Sequence, residues 1–236
     1  MEFSGSVVLV AGGTGGLGRA VSLAFLAADA KVTVTHRNQE EFVALRKEAS
    51  AGAAQDGLLE GLPADVTNEG AVREAVDGII AKHGRVDALV NCVGGYAGGK
   101  AVWEIDPQEF ERMLSLNLRS GYLLSRAVVP KMLERGSGVI VNIASRAAVD
   151  HAAGAASYTA SKAAAVAMID SLAADLRETG VRANSILPSI IDTEANRKAM
   201  PKADFSKWPK PEDIAKVILF LCSDEARLIH GAAIPV

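Results

Sequence analysis

Val10-Ala11-Gly12-Gly13-Thr14-Gly15-Gly16-Leu17-Gly18 is the stretch that decides the fold. An apolar, β-branched run, Val7-Val8-Leu9-Val10-Ala11, leads straight into five glycines, and a helical pattern opens behind them. Glycine lets a backbone turn tightly and approach a pyrophosphate closely. The helix that begins there offers unpaired N–H groups and the positive end of its dipole to that anion. A glycine run by itself also suits an ordinary turn. Its place between a first strand and a first helix points to a dinucleotide held by Gly12, Thr14, Gly15, Gly16, Leu17 and Gly18.

Working outward, short apolar runs alternate with longer helical patterns. Residues 6–11, 31–35, 58–63, 86–91, 138–143, 181–187 and 232–235 read as strands, several of them apolar on both faces. Helices are expected near 17–28, 39–51, 69–83, 107–134, 157–179 and 211–222. Asp106-Pro107 supplies a capping residue and a first-turn proline, and Gly84, Gly136 and Gly180 fall where helices should stop. This alternation predicts an α/β protein: one doubly wound Rossmann domain over 1–236, with a seven-stranded parallel sheet and helices on both faces. The one long irregular stretch, 188–210, carries three prolines and is expected to be a substrate-binding lid.

Composition narrows the function classes. The 236 residues are 49% hydrophobic, enough for a substantial core, and the net charge is −3. That balance gives no electrostatic reason to expect a nucleic acid or an anionic membrane as partner. Cys92 and Cys222, the only cysteines, read as buried thiols of a reducing compartment, and without clustered histidines they make no metal site. The N-terminus lacks a basic n-region, and no apolar run approaches the roughly 18 residues of a membrane span. The expectation is a cytoplasmic enzyme with a small-molecule substrate.

The second strand ends in Thr35-His36-Arg37. An NAD-selective protein places Asp or Glu here for the ribose 2′-hydroxyl. A neutral-to-basic pair, with no carboxylate beside it to repel a phosphate, favours NADP(H), with NAD(H) as the second choice. A solvated surface arginine is the plainer reading of Arg37. The chemistry centres on Tyr158-Thr159-Ala160-Ser161-Lys162. Tyr158 and Lys162, four apart on a helix, share a face. An ammonium there, together with a cofactor's positive ring, would lower the phenol's pKa from about 10 towards 7, a shift worth about 4 kcal/mol. That makes Tyr158 a general acid/base. Ser145 lies thirteen residues before it and Asn117 forty-one.

The glycine turn, Asn117, Ser145, Tyr158 and Lys162 together resemble the short-chain dehydrogenase/reductase family over most of the chain. The resemblance implies that Ser145 hydrogen-bonds the substrate oxygen and Tyr158 gives or takes its proton. Lys162 holds the nicotinamide ribose, and Asn117 holds a water linking Lys162 to solvent. Asp65-Val66 would meet adenine, although Asp65 also suits a helix cap. Asn91-Cys92-Val93-Gly94 resembles the family's Asn-Asn-Ala-Gly, which adds Asn91, Val93 and Gly94 to the cofactor set; Asn91 could equally tie strands together. Pro188, Ile191 and Thr193 match the family's segment after the sixth strand. The departures are Ala11 for Thr, Ser189 for Gly, and Ile234-Pro235-Val236 where relatives run into Asp-Gly-Gly.

Substrate identity is thinly encoded. Tyr96 and Trp103 either stack on a flat ring or pack their loop over the sheet. The string Gly94-Gly95-Tyr96-Ala97-Gly98-Gly99 also resembles dihydropteridine reductases. His151 and Arg146 would meet substrate or stand as surface residues. A non-catalytic NADP(H)-binding sensor and an isomerase or dehydratase on the same fold are the competing readings. Two helices, 107–134 and the one after Tyr158, carry more apolar residues than one buried face needs. The family resemblance places a two-fold interface there, giving a homodimer or homotetramer.

Overall fold

The structure, a computed structural model, describes residues 2–52 and 57–236. Seven strands form one wholly parallel sheet: β1 Val7–Ala11, β2 Lys31–His36, β3 Leu59–Pro63, β4 Ala88–Asn91, β5 Gly138–Ile143, β6 Val181–Leu187 and β7 Ala233–Pro235. The spatial order is β3-β2-β1-β4-β5-β6-β7. The order reverses between β1 and β4, which opens a crevice at the carboxyl ends of those strands. This is the Rossmann arrangement expected from the alternation.

The helices are α1 Gly16–Leu26, α2 Gln39–Ala51, α3 Glu69–His83, α4 Pro107–Leu114, α5 Ser120–Arg135, α6 Ala156–Asp175, α7 Glu194–Ala199 and α8 Pro211–Cys222. Side chains alternate along a strand, so β1 feeds two cores. Val8 and Val10 pack with Val21, Phe25, Leu45, Ile214 and Ile218 beneath α1, α2 and α8. Val7, Leu9 and Ala11 pack with Val76, Leu124, Val128 and Ile169 beneath α3, α5 and α6. Asn38, Asn68 and Asp106 cap α2, α3 and α4 by accepting from backbone N–H groups at 2.7–3.0 Å. Gly84 and Gly136 close α3 and α5 in the left-handed region, at φ 73° and 68°.

Three elements depart from the sequence reading. The helix expected over 107–134 is broken by a π turn at Ser115–Arg119. The helix expected to reach 179 ends at Asp175. The irregular stretch 188–210 contains α7, capped by the Thr193 hydroxyl, and a 3-10 turn at Phe205–Lys207. Its base is closed by a hydrogen bond from Asp192 N to Pro209 O of 2.9 Å. Inside it the Arg197 guanidinium grips the Asp192 carboxylate and lies 4.8 Å from the Phe205 ring centroid. The Asp192–Pro209 and Arg197–Phe205 contacts join residues that no local propensity pairs.

Candidate active site

The register sets Ala11, Thr35, Asn91 and Asn142 level with their neighbours at the carboxyl end of the sheet. The chain therefore leaves β1, β2, β3 and β4 into one cleft of about 270 Å³. Gly12, Thr14, Gly15, His36, Arg37, Asp65, Val66, Val93 and Gly94 line it, all of them expected from the sequence. Gly18 cannot be anything larger, because a Cβ there would stand 2.1 Å from the Gly12 carbonyl oxygen. Gly16 lies under Thr193, whose methyl would be 2.8 Å from an added Cβ. Gly15, the N-cap of α1, makes no side-chain cap, so the first N–H groups of the helix are left to an outside acceptor. Leu17 is buried beneath the turn.

Ala11 carries no hydroxyl, and the turn is secured from the neighbouring strand. Gly12 N donates to Thr35 Oγ1 at 3.1 Å. Asn91 does tie strands together: its Nδ2 donates to Asn142 Oδ1 at 2.8 Å, while its Oδ1 accepts from Val93 N. Asp65 accepts from both the backbone and the hydroxyl of Thr67, which lowers its pKa, and the nearby Arg37 lowers it further. Asn68, not Asp65, caps the following helix.

The cleft also holds what sequence reasoning missed. Glu41 lies in it, its carboxylate accepting from Thr14 Oγ1 at 2.9 Å. The expectation that no carboxylate adjoins Arg37 is thus corrected. Glu41 is one helical turn beyond Arg37, and α2 turns it back over the glycines. His36 is 4% exposed, its ring stacked on Phe42 at 4.9 Å and its Nδ1 without a partner. Burial holds its pKa down, so it adds no positive charge at neutral pH. Thr35, Cys92 and Leu116 complete the wall. Burial pushes the Cys92 thiol up to about 12, and Cys222 likewise, which leaves both inert.

Past Gly94 the polar groups converge. A Cβ on Gly94 would lie 2.9 Å from Asn117 Oδ1 and 3.1 Å from Lys162 Nζ. Asn117, 1% exposed on the π turn, donates to Gly95 O at 3.0 Å and to Ser161 Oγ at 2.9 Å. Its Oδ1 accepts from Gly95 N at 2.9 Å. A π turn inserts one residue into a helix and re-aims its side chains, which here fixes Asn117 against the β4 loop. Lys162, 5% exposed, donates to Ile143 O at 2.8 Å. Burial pulls its pKa down to about 8. Ser145 follows β5, its hydroxyl accepting from Ala147 N at 3.2 Å.

Tyr158 sits beside Ser145, whose hydroxyl lowers the phenol's pKa. Burial outweighs that effect, and the net shift is upward. The sequence reading expected a phenol lowered by Lys162 together with a cofactor. In the protein itself burial is the largest influence on Tyr158, which stays a proton-bearing phenol at neutral pH, and Lys162 donates to the Ile143 carbonyl. The four residues expected to be catalytic are thus brought together, with Tyr96 beside them: its ring meets the Tyr158 ring edge-on at 5.0 Å. Trp103 stands 83% exposed on a 3-10 turn. His151 is exposed, and Arg146 is exposed and paired with Asp150 at 2.8 Å.

The short chain dehydrogenase family model matches residues 6–204. The chain belongs to the short-chain dehydrogenase/reductase family. Among its relatives is a 3-oxoacyl-[acyl-carrier-protein] reductase from Thermotoga maritima, 30% identical and covering 100% of this chain and 98% of the relative. A D-threitol dehydrogenase from Mycolicibacterium smegmatis is 35% identical, covering 98% and 91%. Of solved structures, a short-chain type dehydrogenase/reductase from Mycobacterium ulcerans superimposes with a TM-score of 0.95 at 29% identity, covering 100% and 90%. As a short-chain dehydrogenase/reductase the chain is an oxidoreductase of alcohols or carbonyls that uses a nicotinamide cofactor. Among the described residues no helix is long and apolar enough to cross a membrane, and no cluster of His, Cys, Asp and Glu could hold a metal.

Proposed function

We propose that this short-chain dehydrogenase/reductase is an NADP(H)-dependent carbonyl reductase, running in reverse as an alcohol dehydrogenase, with Tyr158 as general acid/base. The observation that carries it is the convergence of Ser145, Tyr158, Lys162 and Asn117 at the end of the glycine-lined cleft. The cleft fits a dinucleotide: its glycines leave the backbone bare, and the α1 N-terminus faces it. Gly12–Gly18 would take the pyrophosphate, Arg37 a 2′-phosphate, Asp65 and Val66 the adenine, and Asn91, Val93, Gly94, Pro188, Ile191 and Thr193 the nicotinamide half.

Held in this cleft, NADPH would supply the hydride that reduces the carbonyl carbon. Ser145 Oγ–H donates to the carbonyl oxygen and orients it. As charge develops there, Tyr158 Oη releases its proton to that oxygen, and the product is the alcohol. The upward shift of the Tyr158 pKa keeps that proton in place for reduction. Lys162, whose Nζ lies 3.1 Å from where a Cβ on Gly94 would stand, would hold the nicotinamide ribose beside Tyr158. Asn117 fixes the β4 loop beside it. The segment 188–210, tied at Asp192 and Pro209, closes over the substrate as one packed unit.

Tyr158→Phe removes only the proton donor. NADPH-dependent reduction of a carbonyl panel is expected to fall at least about a hundredfold while NADPH binding by fluorescence stays unchanged. More than a tenth of wild-type turnover in that variant would place the acid elsewhere. A wild-type protein that binds NADPH yet turns over nothing on the panel would be a sensor.

A further inference from the structure

Tyr96 is exposed and yet held. The residue before it, Gly95, is fixed on both its N–H and its C=O by Asn117. Three residues on, Gly99 N donates to Gly154 O at 2.7 Å, clipping the loop to the turn just ahead of Tyr158. Between those anchors the Tyr96 phenol lies against Gly98, where an added Cβ would stand 2.3 Å from its hydroxyl oxygen and 2.8 Å from Cζ. The ring crosses the Tyr158 ring at 69° with centroids 5.0 Å apart. It remains 68% exposed. An aromatic that merely packed a loop would bury its ring; this one is braced from behind with its surface open.

The surroundings share that character. Nine large apolar side chains are exposed among the described residues, and five of them (Tyr96, Val102, Trp103, Val149 and Ile190) stand on the loops after β4, β5 and β6. These loops issue from the carboxyl edge where the reaction is placed. The Lys and Arg of the β4 and β5 loops are already matched to carboxylates, Lys100 to Glu109 at 3.3 Å and Arg146 to Asp150 at 2.8 Å. Neither cation is left over for an anionic substrate.

We infer that Tyr96, braced by Gly98, is the substrate-recognition wall of this site, and that the substrate is an uncharged ketone carrying a flat, cyclic apolar body. The inference rests on the reductase reading above. A flat ring stacks on the open surface of Tyr96 and presents its carbonyl to Tyr158 and Ser145 beside it. A short polyhydroxy ketone gains nothing from such a wall, and a carboxylate loses its hydration there.

Steady-state reduction of 2-tetralone, dihydroxyacetone and acetoacetate with NADPH tests this. The wild type is expected to show a kcat/KM for 2-tetralone at least about tenfold above the other two. Tyr96→Ala is expected to raise KM for 2-tetralone about tenfold, with kcat and NADPH affinity little changed, while Tyr96→Phe keeps wild-type values. Gly98→Ala displaces the same ring without deleting it and is expected to reproduce the KM rise. Preference for dihydroxyacetone or acetoacetate overturns the inference and leaves the reductase reading standing, as does an equal loss on all three substrates in Tyr96→Ala. Turnover of none of the three by a wild type that binds NADPH overturns both.

Discussion

At the scale of single residues, the proposed preference for NADP(H) rests on two charges, Arg37 and Glu41. Arg37 was read from the sequence as a candidate because it directly follows β2. Glu41 was not, since nothing local says that α2 swings its first turn back over Thr14. A guanidinium bond to a phosphate is worth about 1.5–3 kcal/mol, so Arg37→Ala is expected to weaken NADPH about 10- to 150-fold and to spare NADH. Glu41, exposed in the same cleft, would oppose that phosphate. Glu41→Gln is expected to tighten NADPH about fivefold, the scale of about 1 kcal/mol for such a pair, with NADH unchanged. Fluorescence titration with both cofactors reads the two effects. Tighter wild-type binding of NADH than NADPH, or equal loss of both in Arg37→Ala, would reverse the assignment.

Among the elements, glycines show where the backbone itself is the packing surface. Gly180, at φ 79°, follows α6 and meets the loop after α5: a Cβ there would stand 2.1 Å from the Gly136 carbonyl oxygen. Gly180→Ala adds left-handed strain to a collision with main chain that cannot rotate away. A cost of about 2–4 kcal/mol is expected, read as a lower urea midpoint with an unchanged slope. The folded variant should keep its turnover, because the contact lies at the far end of β6 from Tyr158. A midpoint within error of wild type would mean that the α5 and α6 connections slide past one another freely. The π turn belongs to this scale too. Its sequence, Ser115-Leu116-Asn117-Leu118-Arg119, reads as ordinary helix. Asn117 was a candidate by its spacing from Tyr158, whereas the turn that aims it is set by three hydrogen bonds to Gly95 and Ser161.

For the whole molecule, the open question is assembly. α4, the π turn and α5 lie beside α6, and two adjoining grooves run between them, sharing Tyr122 and Met168. Leu114, Leu118 and Ala164 line one, and Val129 and Leu172 the other. Apolar and polar residues are spread around α6, so the sheet covers only part of its apolar surface. A second copy related by a two-fold axis would cover the remainder. Light scattering at micromolar concentration is expected to give a dimer or tetramer, and Met168→Glu, a charge at the centre of the grooves, to shift the mass towards 24.6 kDa. A wild-type protein already at that mass would refute the assembly.

The sequence alone determined the order and kind of the elements. Apolar periodicity, caps and helix-ending glycines are local properties, and the parallel crossover rule turns them into one topology. It also singled out Ser145, Tyr158 and Lys162 as candidates, through a spacing that resembles the family's. Only the tertiary structure decided the state and setting of those groups. That burial raises the Tyr158 pKa, that Lys162 is pulled to a pKa of about 8 and that Glu41 enters the cleft beside Thr14 all depend on which distant segments meet. Burial and through-space charge are properties of the packed assembly of strands and loops, and the separate stretches of sequence carry no local signal of them.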